Sequence, residues 1–167
     1  MFFVVIESVK RTMKTRAPRN RTIELTPKEI EAYSKRLETL GRCVSCEEIS
    51  NTTIWQDMQD ACRYLPKGFV DLLFLDPPYN LNKTFGGKTF KKGSQQQYAA
   101  MLEAWLEPLL PLLKPTASVY VCSDWNACGA VQTVAAKFFT IRNRITWERE
   151  KGRGAQTNWK NCSEDIW

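Results

Sequence analysis

The chain of 167 residues contains no histidine. That removes Cys/His catalytic pairs and triads and most zinc-finger spacings. Of six cysteines, only Cys43 and Cys46 stand as a CxxC; Cys62, Cys122, Cys128 and Cys162 are scattered singly. A structural zinc site needs about two further ligands, usually a second such pair, and no strand clearly feeds the CVSC stretch into a helix as a thioredoxin-type site requires. The expectation is reduced, mostly buried thiols and no metal. No run of 18 apolar residues exists, so no membrane-spanning helix is expected. The opening Met-Phe-Phe-Val-Val-Ile is short and no basic stretch precedes it, so it does not read as a signal peptide and a cytoplasmic location is expected. There is no internal repeat or low-complexity tract, and the eight glycines form no glycine-rich run.

What is abundant is positive charge. The formal net charge is +6, which favours polyanionic partners. The stretch from Lys10 to Arg21, KRTMKTRAPRNR, holds six basic residues and no acid. A second cluster comprises Lys83, Lys88, Lys91 and Lys92; a third runs through Arg142, Arg144, Arg149, Lys151 and Arg153 and is diluted by Glu148 and Glu150. A solvated surface explains any one of these. Three of them, one beside the Asp76–Tyr79 stretch and one beside the Gly152–Gly154 loop, point to nucleic acid.

The length suits one domain with one core. Residues 1–22 read as a basic arm and residues 23–167 as the folded part. Thr26-Pro27-Lys28-Glu29 is a helix start, with a Thr cap, Pro in the first turn and Glu placed to reach back; the helix is expected to run to about Leu40, with Gly41 as a left-handed cap. A short strand near Thr53 to Gln56, a helical stretch to Tyr64 and a turn at Pro66-Lys67-Gly68 follow. Phe69 to Leu75 reads as a parallel strand covered on both faces. A polar loop, Asn80 to Ser94, leads to a helix over Gln95 to Leu113, irregular near Pro108 and Pro111. Ala117 to Asp124 is the next strand, Ala127 to Lys137 a helix, Phe139 to Glu150 a long strand, and Ser163 to Trp167 the start of another. This alternation is an α/β pattern with a largely parallel sheet.

The most informative stretch is Phe69 to Asn82, FVDLLFLDPPYNLN. An apolar strand drives into Asp76-Pro77-Pro78-Tyr79-Asn80. In open α/β sheets ligands bind beyond the carboxyl ends of the strands. A carboxylate there can accept hydrogen bonds from an exocyclic amine. Two prolines stiffen the backbone and remove two N–H donors, so neighbouring carbonyls are held rigid. A tyrosine offers a flat face for a base, worth about 1–3 kcal/mol. A proline-terminated strand in a purely structural domain is the bland alternative.

VDLLFLDPPYN resembles the catalytic motif of the amino-methyltransferases that modify DNA bases. LKPTASVYVCSDW and RNRITWEREKGRGAQTNWKNCSEDIW are similar to later segments of that family, and the likeness extends from about Leu25 to Trp167. The resemblance implies an incomplete, Rossmann-like sheet that uses S-adenosylmethionine. It implies that Asp76 and the Pro77 carbonyl, held by Pro78, accept from the target amine, and that Tyr79 stacks on a flipped base, offsetting a few kcal/mol of extrusion. Cofactor contacts would come from Asp57, Asp76 and Asn80, although Gln56 stands where the family more usually has Gly. Double-stranded DNA would be held by Lys83, Lys88, Lys91, Lys92, Arg149, Lys151, Arg153 and Lys160, with Gly152, Arg153 and Gly154 near the target. Asp at the head of the tetrapeptide implies N6 of adenine, with N4 of cytosine the alternative. The family's glycine motif, of the form Asp-Pro-Phe-x-Gly-Ser-Gly-Thr, is missing, and TFGGKTF does not replace it. The expectation is therefore one part of an enzyme, inactive alone, that self-associates or meets a second chain carrying that motif. An RNA guanine-N2 methyltransferase and a non-catalytic DNA-binding remnant are the other readings.

Overall fold

The computed structural model describes residues 24–85, 88–153 and 161–167; for residues 85, 88, 149–153 and 161 the backbone only. The basic arm, Gly154 and Lys160 lie outside the described residues. The chain divides into two compact units, one reaching to Pro66 and including Thr84–Lys88, the other Lys67–Lys83 with Thr89–Trp167.

In the first unit α1 spans Pro27–Ser34 and opens as the sequence implies. The Thr26 hydroxyl accepts from the Glu29 N–H, and the Glu29 carboxylate accepts from the Thr26 N–H at 2.7 Å. The helix stops well short of Leu40, and Gly41 is not in the left-handed region. No residue of α1 is buried, so nothing rewards its extension. The chain instead turns so that β1 (Leu37–Glu38) pairs in parallel with β2 (Thr53–Ile54) and Leu40 enters the core beside Ile49 and Ile54. The Gln56 side chain fixes that entry: its Oε1 accepts from the Leu40 N–H at 2.8 Å and its Nε2 donates to the Leu40 carbonyl at 3.1 Å. A four-residue helix, α2 (Met58–Ala61), follows.

The second unit begins at Gly68, whose φ of 59° suits a residue without a Cβ. Its four-stranded sheet has the order β3 (Val70–Leu75), β6 (Leu113–Ser123), β8 (Asn161–Ile166), β7 (Ile145–Arg153). The β3–β6 pair is parallel, with Leu73 opposite Val119 and Leu75 opposite Val121. β8 is antiparallel to both β6 and β7. The sheet is therefore mixed rather than largely parallel. β7 ends at Arg153 and β8 begins at Asn161, a separation shorter than the dozen or more residues a parallel crossover takes, so the pair is antiparallel.

α3 (Gln95–Leu106) continues into a 3₁₀ segment, Glu107–Leu112, that absorbs Pro108 and Pro111. It packs against α4 (Cys128–Phe138) through Leu102, Leu106, Val131 and Val134, all fully buried, while Lys137 and Glu103 close an ion pair at 2.6 Å between them. Strand alternation puts Leu73, Leu75, Val119 and Val121 on one face and Leu72, Phe74, Ser118 and Tyr120 on the other. On the second face Leu72 is 49% and Phe74 58% exposed, with Phe74 stacked on Tyr120. The expectation of β3 covered on both faces is corrected, because among the described residues nothing buries Leu72 and Phe74, and an apolar run alone does not report whether both faces are covered. Asn80 to Ser94 is not wholly loop; β4 (Lys83–Phe85) and β5 (Lys88–Phe90) pair within it.

Candidate active site

β3 and β6 run parallel and end side by side, so Asp76 and Asp124 follow two neighbouring carboxyl ends. Asp76 is exposed and Pro77 buried. Beyond Tyr79 the chain turns sharply, the Tyr79 carbonyl accepting from the Leu81 N–H. Asn80, only 5% exposed, then reaches across to Gly93: its Oδ1 accepts from the Gly93 N–H at 2.9 Å and its Nδ2 donates to the Gly93 carbonyl at 3.0 Å. Two residues on, Asn82 Oδ1 accepts from the Lys92 N–H at 2.8 Å. Gly93 directly precedes Ser94, the N-cap of α3, whose hydroxyl and partner Gln97 form a reciprocal capping box. The asparagines thus tie the Asp-Pro-Pro-Tyr turn to the start of α3.

These ties enclose a cavity of about 410 Å³. Pro78, Tyr79 and Asn80 form one wall, Phe90 to Gly93 a second, and Gln97, Tyr98 and Met101 of α3 a third. Of the residues singled out in the sequence, Pro78, Tyr79, Asn80, Lys91 and Lys92 are brought together here. Asp76 is not part of these walls, yet its charge acts on two buried neighbours. Burial, then Asp124 and Asp76, push the Tyr98 hydroxyl well above its ordinary range. Burial, then Asp76, push the Cys122 thiol up to about 11. Asp124, 8% exposed, accepts from the Ala127 N–H at 2.8 Å and so steadies the entry to α4.

Asp57 caps α2 through the Gln59 N–H, in the first unit. Gln56, in place of the family's usual glycine, has the structural task of holding Leu40. Lys83 stands on β4 and Lys88 on β5; Arg149, Lys151 and Arg153 stand on β7, together with Gly152. Tyr98 and Asp124 carry no motif and were missed in the sequence; only their places, one helical turn after a Ser cap and just past a strand end, mark them. All six cysteines are free, and Cys43, Cys46 and Cys162 are exposed. The expectation of mostly buried thiols fails because Cys43 and Cys46 lie in an irregular segment that no helix or strand covers. Among the described residues no group of acids and cysteines is arranged to hold a metal, and no helix is long and apolar enough to cross a membrane.

An α/β sheet whose parallel β3 ends in Asp-Pro-Pro-Tyr, beside a cavity walled by Pro78, Tyr79 and two lysines, is the fold of the Rossmann-like methyltransferase class. The match to the DNA methylase family model of N6/N4 type covers residues 70–167, and the chain belongs to that family. It is 29% identical over 130 residues to the DNA adenine methyltransferase YhdJ of Escherichia coli, an alignment covering 70% of this chain and 40% of that protein. It is 26% identical over 108 residues to the type II methyltransferase M.HpaI of Haemophilus parainfluenzae, covering 64% of this chain and 34% of that one. Among solved structures it resembles PvuII DNA methyltransferase (cytosine-N4-specific) with a TM-score of 0.54 at 14% identity, over 70% of this chain and 47% of that one. The chain therefore spans less than half the length of these relatives.

Proposed function

We propose that this chain supplies the target-amine side of a DNA adenine-N6 methyltransferase. The observation that carries the reading is the Asp76–Asn80 turn at the carboxyl end of parallel β3, with Tyr79 in the wall of the adjoining cavity. The Asp76 carboxylate and the Pro77 carbonyl accept the two N–H bonds of an exocyclic amine, which turns the nitrogen lone pair away from them and toward the incoming methyl group. Pro78 keeps that backbone from adjusting, so the acceptors need no reorganisation when the amine arrives. Tyr79 lends its ring to the extruded base. Lys91 and Lys92, on the opposite wall, meet the phosphates of duplex DNA, joined by Lys83, Lys88, Arg149, Lys151, Arg153 and Lys160. The aspartate heading the tetrapeptide favours adenine over cytosine.

S-adenosylmethionine is the methyl donor that the family implies. Of the three residues the resemblance offers for it, Asp57 stands in the first unit and Asp76 and Asn80 in the second, and the described residues do not fit as a full cradle. Gly41, Gly68 and Gly129 each have open space where a Cβ would stand, and Gly93 meets only the Gln97 side chain. None of these four stands in a glycine-rich run. The glycine-lined part of the site is therefore left to a further segment or a second chain that carries the glycine motif.

Two measurements on purified chain test this. Duplex DNA carrying 2-aminopurine should bind in a salt-dependent way, with a fluorescence change lost in Tyr79→Ala and kept in Tyr79→Phe. Methyl transfer should be absent from the chain alone and, once a chain carrying the glycine motif is added, should yield N6-methyladenine that Asp76→Ala abolishes. Equal activity in Asp76→Ala would sink the reading, and N4-methylcytosine as sole product would overturn the adenine assignment.

A further inference from the structure

We propose that Asn80 is a positioning residue that sets the Tyr79 ring by clamping the motif's end to the start of α3. Its amide is engaged at both ends by one glycine, accepting from the Gly93 N–H at 2.9 Å and donating to the Gly93 carbonyl at 3.0 Å. Asn80 is 5% exposed, so water does not compete for these bonds, and an unmet amide there is costly. The bond geometry is that of a short antiparallel ladder made by a side chain, and it fixes the separation of two cavity walls. One wall carries Tyr79 and the other Lys92 and Gly93. Only asparagine serves: aspartate lacks the donor, and glutamine is one methylene too long for the same span. Gln56 makes the same two-ended grip on Leu40 in the first unit, in a segment with no role in the cavity; the difference at Asn80 is that the gripped residue directly precedes the cap of a cavity-lining helix. The side-chain amide thereby acts through Tyr79 rather than on any ligand, and the functional part of this inference rests on the base-stacking reading of Tyr79 given above.

The first test needs no DNA. The chain has five tyrosines, and incorporation of 3-fluorotyrosine gives each a fluorine resonance, assigned by single Tyr→Phe changes. In Asn80→Ala the Tyr79 resonance should narrow and move toward the position of the free amino acid. Tyr33 and Tyr64, in the first unit, should stay put. Asn80→Asp keeps the bond from the Gly93 N–H and loses the other, so its Tyr79 resonance should lie between the two, and this variant decides the matter if Asn80→Ala does not fold. The second test titrates 2-aminopurine duplex DNA: Asn80→Ala should weaken the stacked state about tenfold, the loss of one to two net hydrogen bonds, with Asn80→Asp intermediate. A Tyr79 resonance unmoved in both variants overturns the inference, as does displacement of all five tyrosines together, which marks a general structural role. If the unaltered chain produces no 2-aminopurine signal, the base-stacking reading falls, and the fluorine spectra alone judge the clamp.

Discussion

Replacing Tyr98 by phenylalanine removes one oxygen atom and leaves the ring, which is 3% exposed, in its packing between α3 and the sheet unit's interior. Among the described residues the hydroxyl has no hydrogen-bond partner, and burial together with Asp124 and Asp76 keeps it protonated. A buried hydroxyl that is hydrogen-bonded contributes about 1 kcal/mol net, whereas one left without a partner costs about 1–3 kcal/mol in lost hydration. Tyr98→Phe is therefore expected to raise stability by about 1 kcal/mol or more, the reverse of the usual sign for a buried Tyr→Phe change. For a chain of this size that corresponds to about 2–4 °C in Tm. Urea unfolding followed by circular dichroism reads the difference, and an unchanged slope shows that the unfolded reference is the same. A loss of about 1 kcal/mol would refute the reasoning, since it would mean that the hydroxyl is bonded in solution.

Three more outcomes are expected, two at the thiols and one at Gln56. Cys43, Cys46 and Cys162 should react with a thiol reagent at once in the native protein, while Cys62 and Cys122, buried and pushed up to about 11, should wait for unfolding; a native count of five or six fast thiols contradicts this. Because both thiols lose protons more readily unfolded than folded, their contribution is complete below the ordinary thiol value of 9.0 and is lost as pH rises from there toward about 11. Stability should therefore fall over that window, and fall less in Cys62→Ser. Gln56→Ala should cost the first unit about 1–3 kcal/mol, because it leaves both backbone groups of the buried Leu40 without their partner. A change under 0.5 kcal/mol in denaturant unfolding, the ordinary surface-substitution range, shows that water replaces the amide.

The strand ends were the legible part of this sequence. An apolar run closed by Asp76, Pro77 and Pro78 announces β3 and its carboxyl end, and the caps at Thr26 and the turn at Gly68 follow from local chemistry alone. Strand direction was not legible: alternation along Ile145–Arg153 is the same whether its neighbour runs with it or against it. The length of α1 was misread because helix signals were present at its start while the tertiary reason to stop, Leu40 held by Gln56, lies far along the chain. The cavity was half legible. Tyr79 and Lys91 stand in the motif and its basic loop, but the partnership of Asn80 with Gly93 and the place of Tyr98 in the cavity wall arise between segments, which no spacing rule reports.

The parallel pairing of β3 with β6 also bears on how the molecule acquires its site. Leu75 meets Val121 only after the whole of β4, β5 and α3 has been accommodated between them, and closure over such a distance in sequence is slow compared with helix formation. α3 and the Asn80–Gly93 tie, being local, can form first. The cavity wall then precedes the strand that presents Asp76, and the carboxylate reaches its place last. Substitutions at the Asn80 tie, already formed when β3 and β6 pair, should accordingly slow folding and leave unfolding nearly unchanged.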